Sequence, residues 1–213
     1  MFCTGLVDRM MTVVLVCGDK GLRQSVWDLL RAWGWTVVGE AATGPEALRL
    51  IRLRQPNLIV VDDEISGMNV SQLMDVLSHD RLAPVLLLLS PSNRWGEELL
   101  RHSAVMAATA KPLNEADFYL AALLAEANFA KFSSLEQEVT RLQDQLRTRK
   151  IVERAKGILM ESFGLSEQEA YRQMQRESME RRTSMRAIAE AIITAQKFYQ
   201  QGQGKVKKER DKE

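Results

Sequence analysis

Residues 149–193, RKIVERAKGILMESFGLSEQEAYRQMQRESMERRTSMRAIAEAII, set the narrowest limits on how this chain folds, because start and stop signals for three helices crowd into one short stretch. Gly164 falls where a left-handed helix stop is expected, and Ser166 with Glu169 forms a Ser-x-x-Glu capping box, so one helix ends and another begins within a few residues. Downstream, Ala170, Met174 and Met179 supply an inward stripe, Arg181-Arg182-Thr183-Ser184 a polar turn, and Ile188, Ala191, Ile192 and Ala195 recur at helical spacing. The expected product is a small three-helix bundle.

The amino-terminal half follows another rhythm. Residues 12–17, 36–40, 58–61 and 85–89 read as buried strands, with 105–109 as a weaker fifth, and the segments between them are long enough for crossover helices. The expected fold is an α/β domain with a flavodoxin-like, doubly wound, five-stranded parallel sheet, followed by a coiled-coil helix and the all-α bundle. Ligands in such sheets bind beyond the carboxyl ends of the strands at the switch point between the first and third, where Asp19 and Asp62 fall.

Length and charge agree with two units. A chain of 213 residues with 46% hydrophobic content exceeds the usual single domain and can bury a core. The formal charge of +1 hides an asymmetry: residues 1–130 hold 11 basic and 15 acidic side chains, and residues 131–213 hold 18 basic and 13 acidic. The two halves are therefore expected to have different partners. Two cysteines, Cys3 and Cys17, fit a reducing compartment, and the chain has neither a leader pattern nor a membrane-length apolar run, so a cytoplasmic protein without a membrane partner is expected. His79 and His102 have no partners at metal-ligand spacing.

The carboxy-terminal stretch resembles the ANTAR family of RNA-binding antiterminator modules, through Ala155-Lys156-Gly157-Ile158-Leu159-Met160, Gly164-Leu165-Ser166 with Ala170, and Ala187-Ile188-Ala189. Residues 10–125 resemble a response-regulator receiver domain. Pro56-Asn57-Leu58-Ile59-Val60-Val61-Asp62 looks like the third strand ending in the phosphoacceptor, Gly67-Met68 like the loop that follows, Ser90 like the hydroxyl that contacts the phosphoryl group, and Lys111-Pro112 like the receiver lysine with its cis-prone proline. The resemblance implies phosphorylation at Asp62, contacts from Ser90 and Lys111, and Mg²⁺ held by Asp19, Asp62 and the Glu64 backbone carbonyl. Crowded negative charge must be neutralised before a carboxylate attacks phosphorus, which is why such a site needs a lysine and a hard cation. Two departures stand out. Gly18 occupies the place of an acid that supports the metal, a loss worth on the order of 10–100-fold in affinity or activity, and Ala108 lies where an aromatic switch residue often sits.

Between the halves, Ala121, Ala125, Asn128, Phe132, Leu135, Val139, Leu142, Leu146 and Arg149 alternate at spacings of four and three, the seam of a coiled coil in which Asn128 can fix the register. The resulting division is a receiver at 10–125, a coiled-coil connector at 126–148, an ANTAR module at 149–200 and a disordered tail at 201–213. Gly157 inside a helix costs about 1 kcal/mol relative to alanine, so close packing or approach of RNA should need the missing side chain. The candidate RNA contacts are Arg149, Lys150, Arg154, Lys156, Gly157, Arg182, Thr183, Ser184 and Arg186, a basic set suited to phosphates and unstacked loop bases.

The expectation is a non-enzymatic response regulator: phosphorylation at Asp62 by a sensor histidine kinase promotes a homodimer through the coiled coil, and the paired modules bind RNA stem-loops in mRNA leaders. The alternative keeps RNA binding but makes the first half a pseudo-receiver controlled by another sensor protein without phosphorylation. A third reading, a haloacid-dehalogenase-like phosphatase built on Asp62-Asp63-Glu64, has Glu64 where a second Asp is needed and no room for a cap domain.

Overall fold

The computed structural model describes residues 11–210, with side chains through Tyr199. The chain divides into two compact units, Met1–Ser134 and Leu135–Glu213.

In the first unit, strands β1 (Thr12–Val16), β2 (Thr36–Ala41), β3 (Leu58–Asp62), β4 (Val85–Leu89) and β5 (Val105–Ala110) form a parallel sheet of order β2-β1-β3-β4-β5. This is the expected flavodoxin-like arrangement, and each strand falls within a residue of its expected bounds. Helices α1 (Lys20–Ala32), α2 (Gly44–Arg54), α3 (Val70–Asp80) and the short α4 (Gly96–Leu99) make the crossovers. The period-2 alternation of side chains splits the core into two layers. Val14, Val16, Ile59, Val61, Val85 and Leu87 pack with Ile51, Leu73 and Met74 on one face. Val13, Leu15, Leu58, Val60, Leu86 and Leu88 pack with Val26, Leu30 and Phe118 on the other. The helix starts are capped by short polar side chains: Asp19 for α1, Thr43 for α2 and Asn69, with Gln72 completing a capping box, for α3. His102 bridges Ser71 and Asp75 of α3, so it is a structural tie.

Helix α5 covers Glu115–Phe163. Its opening turns belong to the first unit, with Phe118, Ala122 and Ala125 buried there. Residues 126–134, expected in the connector, also pack there: the Asn128 amide donates to the Met106 carbonyl (2.8 Å), and the Arg81 guanidinium lies 5.2 Å from the Phe132 ring centre. Asn128 is thus spent on β5 and not on setting coiled-coil register. The apolar seam that remains unpartnered begins at Leu135.

In the second unit the end of α5 packs with α6 (Glu167–Glu180) and α7 (Met185–Arg210) around Ala155, Leu159, Ala170, Met174, Ile188 and Ala189. Gly164 has φ +68°, and both halves of the Ser166/Glu169 capping box are formed, so the expected helix stop and start are realised. Met179 departs from the inward stripe, being 72% exposed. Nine residues at about 100° each carry it to the side opposite Ala170. Helix α7 also continues to Arg210, where the composition suggested a disordered tail from 201; residues 211–213 lie outside the described residues.

Candidate functional site

The carboxyl ends of β1, β3, β4 and β5 bring Cys17, Asp62, Asp63, Ser90 and Lys111 together. Lys111, which forms a cis peptide bond with Pro112, places its Nζ 2.6 Å from Asp62 Oδ1 and 2.7 Å from Asp63 Oδ1. The two carboxylates are nearly sealed from solvent, with side chains 2% and 0% exposed. Asp63 also accepts from the Ser90 amide (2.8 Å), the Ser90 hydroxyl (3.1 Å) and the Asn93 side-chain amide (2.6 Å). Burial alone would push the Asp63 carboxyl up, but the bonds from Lys111, Asn93 and Ser90 hold it below the usual carboxylate range. Burial likewise opposes charge on Lys111, yet the two carboxylates keep its pKa above the ordinary lysine value.

The expected phosphoacceptor, phosphoryl contacts and lysine therefore meet in one place. The expected metal set is less complete. Asp19 is exposed, and one oxygen of its carboxylate accepts from the Leu22 amide (2.6 Å) as the cap of α1. The side chain that faces Asp62 from the end of β1 is the Cys17 thiol, 3.4 Å from Asp62 Oδ2. Burial and the neighbouring carboxylate push that thiol up to about 12, so it stays protonated, and a neutral thiol is a poor donor for a hard cation. Gly18 offers no side-chain donor, and a Cβ built there would lie 3.6 Å from the Glu64 carbonyl oxygen. Among the described residues no group of three or more His, Cys, Asp or Glu side chains is placed to hold a metal ion. The cation in contact with Asp62 is Lys111, and the Arg23 guanidinium donates to the Cys17 carbonyl nearby (2.7 Å). With Asp62 paired to Lys111 and one Asp19 oxygen used as a cap, the residues as they stand make a poor Mg²⁺ site.

The basic candidates divide as sharply. Arg149, Lys150, Arg154 and Arg182 are exposed and make no ion pair among the described residues. Lys156 is different: its side chain is 8% exposed, and its Nζ is held by Glu167 (2.6 Å) and Glu153 (2.9 Å), whose hydrogen bonds raise its pKa. It ties α5 to the start of α6. Arg186 pairs with Glu190 at 2.8 Å, the Ser184 hydroxyl accepts from the Ala187 amide (3.1 Å), and the Thr183 carbonyl accepts from the Ser178 hydroxyl (2.6 Å). Ser184 and Thr183 shape the α6–α7 turn, and Arg186 pairs along α7 itself. Gly157 has no atom within 4 Å of a built Cβ, so packing within the unit does not require it. Sequence reasoning missed Tyr171, 46% exposed, which lines an open cleft of about 560 Å³ together with Arg149, Arg141 and Val152.

Comparison with known proteins agrees with both halves. The ANTAR domain profile matches residues 140–193. The transcriptional regulatory protein PdtaR of Mycobacterium tuberculosis is 36% identical over 181 residues, covering 84% of this chain and 88% of that one. Among solved structures, the signal receiver domain of a modulated diguanylate cyclase from Desulfovibrio desulfuricans superposes with a TM-score of 0.53 at 17% identity, covering 57% of this chain and 98% of that one. The receiver domain of an HD domain-containing protein from Pseudomonas fluorescens gives 0.53 at 18%, covering 59% and 93%. A receiver-fold unit followed by an ANTAR domain, with more than four-fifths of both chains aligned, places this chain in the receiver–ANTAR family of transcriptional regulators that includes PdtaR.

Proposed function

We propose that this regulator is an antiterminator that binds RNA stem-loops in mRNA leaders through its ANTAR unit and works as a homodimer. The observation that carries this reading is the set of exposed, unpaired cations on the last part of α5, Arg149, Lys150 and Arg154, with Arg149 sharing a cleft with Tyr171. Guanidinium and ammonium groups neutralise phosphates, and an exposed phenol ring beside them offers a stacking face for an unstacked loop base. Titration of a labelled two-hairpin leader RNA from 50 to 200 mM salt, competed with duplex DNA, tests the reading. Steeply salt-dependent binding that DNA fails to displace is the expected result; equal competition by DNA would point to a nonspecific polyanion surface.

Gly157 supports the same assignment. Replacing it with alanine removes a helix penalty without a clash, so G157A is expected to stabilise the second unit by about 0.5–1 kcal/mol in thermal unfolding while weakening RNA binding. Higher stability with unchanged affinity would remove Gly157 from the interface.

The dimer reading rests on Leu135, Val139, Leu142 and Leu146, which are 45–64% exposed and follow a four-three-four spacing on α5. A second copy of the same helix covers such a seam by knobs-into-holes packing. Leu142→Ala should raise the dimer dissociation constant at least about a hundredfold in sedimentation equilibrium, since both copies lose a leucine whose burial contributes about 1.5–3 kcal/mol.

For the first unit the geometry favours the phosphorylation-independent alternative over phosphotransfer from a histidine kinase, because Asp62 is already paired with Lys111 and neither Cys17 nor Gly18 supplies an acidic side chain beside it. Its input is then a sensor protein that docks on the receiver fold.

A further inference from the structure

A phosphoryl group on a receiver aspartate would act by presenting anionic oxygens to nearby donors. In this chain those donors are already taken. The Ser90 hydroxyl and amide, the Asn93 amide and the Lys111 ammonium all converge on the carboxylate of Asp63, at 3.1, 2.8, 2.6 and 2.7 Å. Asp63 is the residue directly after Asp62, at the end of β3, and its side chain is fully enclosed. It joins three carboxyl-terminal strand ends: its own, that of β4 through Ser90, and that of β5 through Lys111.

We propose that Asp63 is a built-in anion that occupies the phosphoryl-binding donors of this receiver, so that Ser90, Asn93 and Lys111 are held as a set without any group being added to Asp62. The proposal rests on the phosphorylation-independent reading of the first unit given above, and goes beyond it by naming what stands in for the phosphoryl group. Charge supports the substitution. A phosphoryl group brings about −1.5 to −2 of charge, and here it would enter a pocket where the Asp62 and Asp63 carboxylates face the ammonium of Lys111, with the Arg23 guanidinium held farther off on the Cys17 carbonyl. Like charges this close, cut off from water, oppose one another strongly. The Cys17 thiol on the remaining side of Asp62 adds no positive charge. A further consequence is that the donor set becomes an open anion site once the Asp63 carboxylate is removed.

The test uses the full chain with its Ser90 amide assigned by NMR. Wild type, Asp63→Asn and Asp63→Ala are each recorded alone, with acetyl phosphate and Mg²⁺, and with inorganic phosphate alone; intact mass reports any phosphoryl addition. The expected result has three parts. Wild type gains no mass and its Ser90 resonance stays in place under both additions. In Asp63→Ala the Ser90 resonance moves away from its wild-type position, and inorganic phosphate draws it back in a saturable manner. Asp63→Asn, which keeps an acceptor oxygen, shows a smaller displacement and serves in place of the alanine variant if that one unfolds. A wild-type chain that gains 80 Da on Asp62 with a shifted Ser90 would overturn both the proposal and the phosphorylation-independent reading. An inert wild type whose Ser90 resonance is indifferent to either Asp63 substitution would overturn the proposal alone. None of these readouts involves RNA, so the outcome is separate from the ANTAR assignment.

Discussion

Lys111→Ala is expected to cost the first unit about 3–5 kcal/mol in urea unfolding, because it leaves the buried Asp62 and Asp63 carboxylates without their cation. That is a large share of the stability of an ordinary domain. The pH dependence identifies the cause. In the wild type the Asp63 carboxyl lies below its unfolded value, so its contribution is present above the ordinary carboxylate range and is lost as pH falls through the folded value. Lys111 has the opposite sign: its folded pKa is raised, so its contribution is complete at neutral pH and is lost only as strong alkali titrates it. In the variant the enclosed Asp63 carboxylate loses the cation that helps hold it ionised, so the deficit relative to wild type should shrink between pH 7 and pH 4. A deficit that is constant across that window would mean that the lysine stem, and not its charge, holds the site.

The second large effect concerns RNA. Replacing Arg149, Lys150 and Arg154 together with glutamine should lower affinity for a leader hairpin roughly a hundredfold near 0.1 M salt and flatten the plot of log affinity against log salt by about 2 to 3, since each lost phosphate contact removes about 0.7–0.9 from the slope. All three side chains are exposed and unpaired, so thermal stability should hardly change. The matched control is Lys156→Gln. Its ammonium is enclosed between Glu153 and Glu167, so this change should reduce stability while leaving the salt slope near its wild-type value. A Lys156→Gln variant that loses a full unit of slope would mean that the ion pairs open on RNA binding.

Much of the architecture was legible because local signals agreed with the fold. Apolar runs at residues 58–61 and 85–89 specify central strands, and Gly164 with Ser166 and Glu169 specifies a helix boundary to the residue. The cluster of Asp62, Ser90 and Lys111 was equally visible, since each sits at the end of a strand run. What sequence does not show is the local hydrogen bonding that each side chain already satisfies. Asp19 is a helix cap, Lys156 a buried tie, Ser184 a second cap and Asn128 a brace on β5. The role of Asp63 is not legible, because sequence alone does not show that a strand ends between two adjacent acids and turns the second toward Ser90. Tyr171 was passed over because a helical aromatic is usually core, and only its exposure beside Arg149 sets it apart.

The most direct test is to purify the tagged chain from its own cells after crosslinking and sequence the RNA bound to it, beside a matched sample of the Arg149, Lys150 and Arg154 variant. The account predicts enrichment of untranslated leaders that carry paired hairpins, lost in the variant. Transcripts recovered in proportion to their abundance, with the same profile from both proteins, would contradict it.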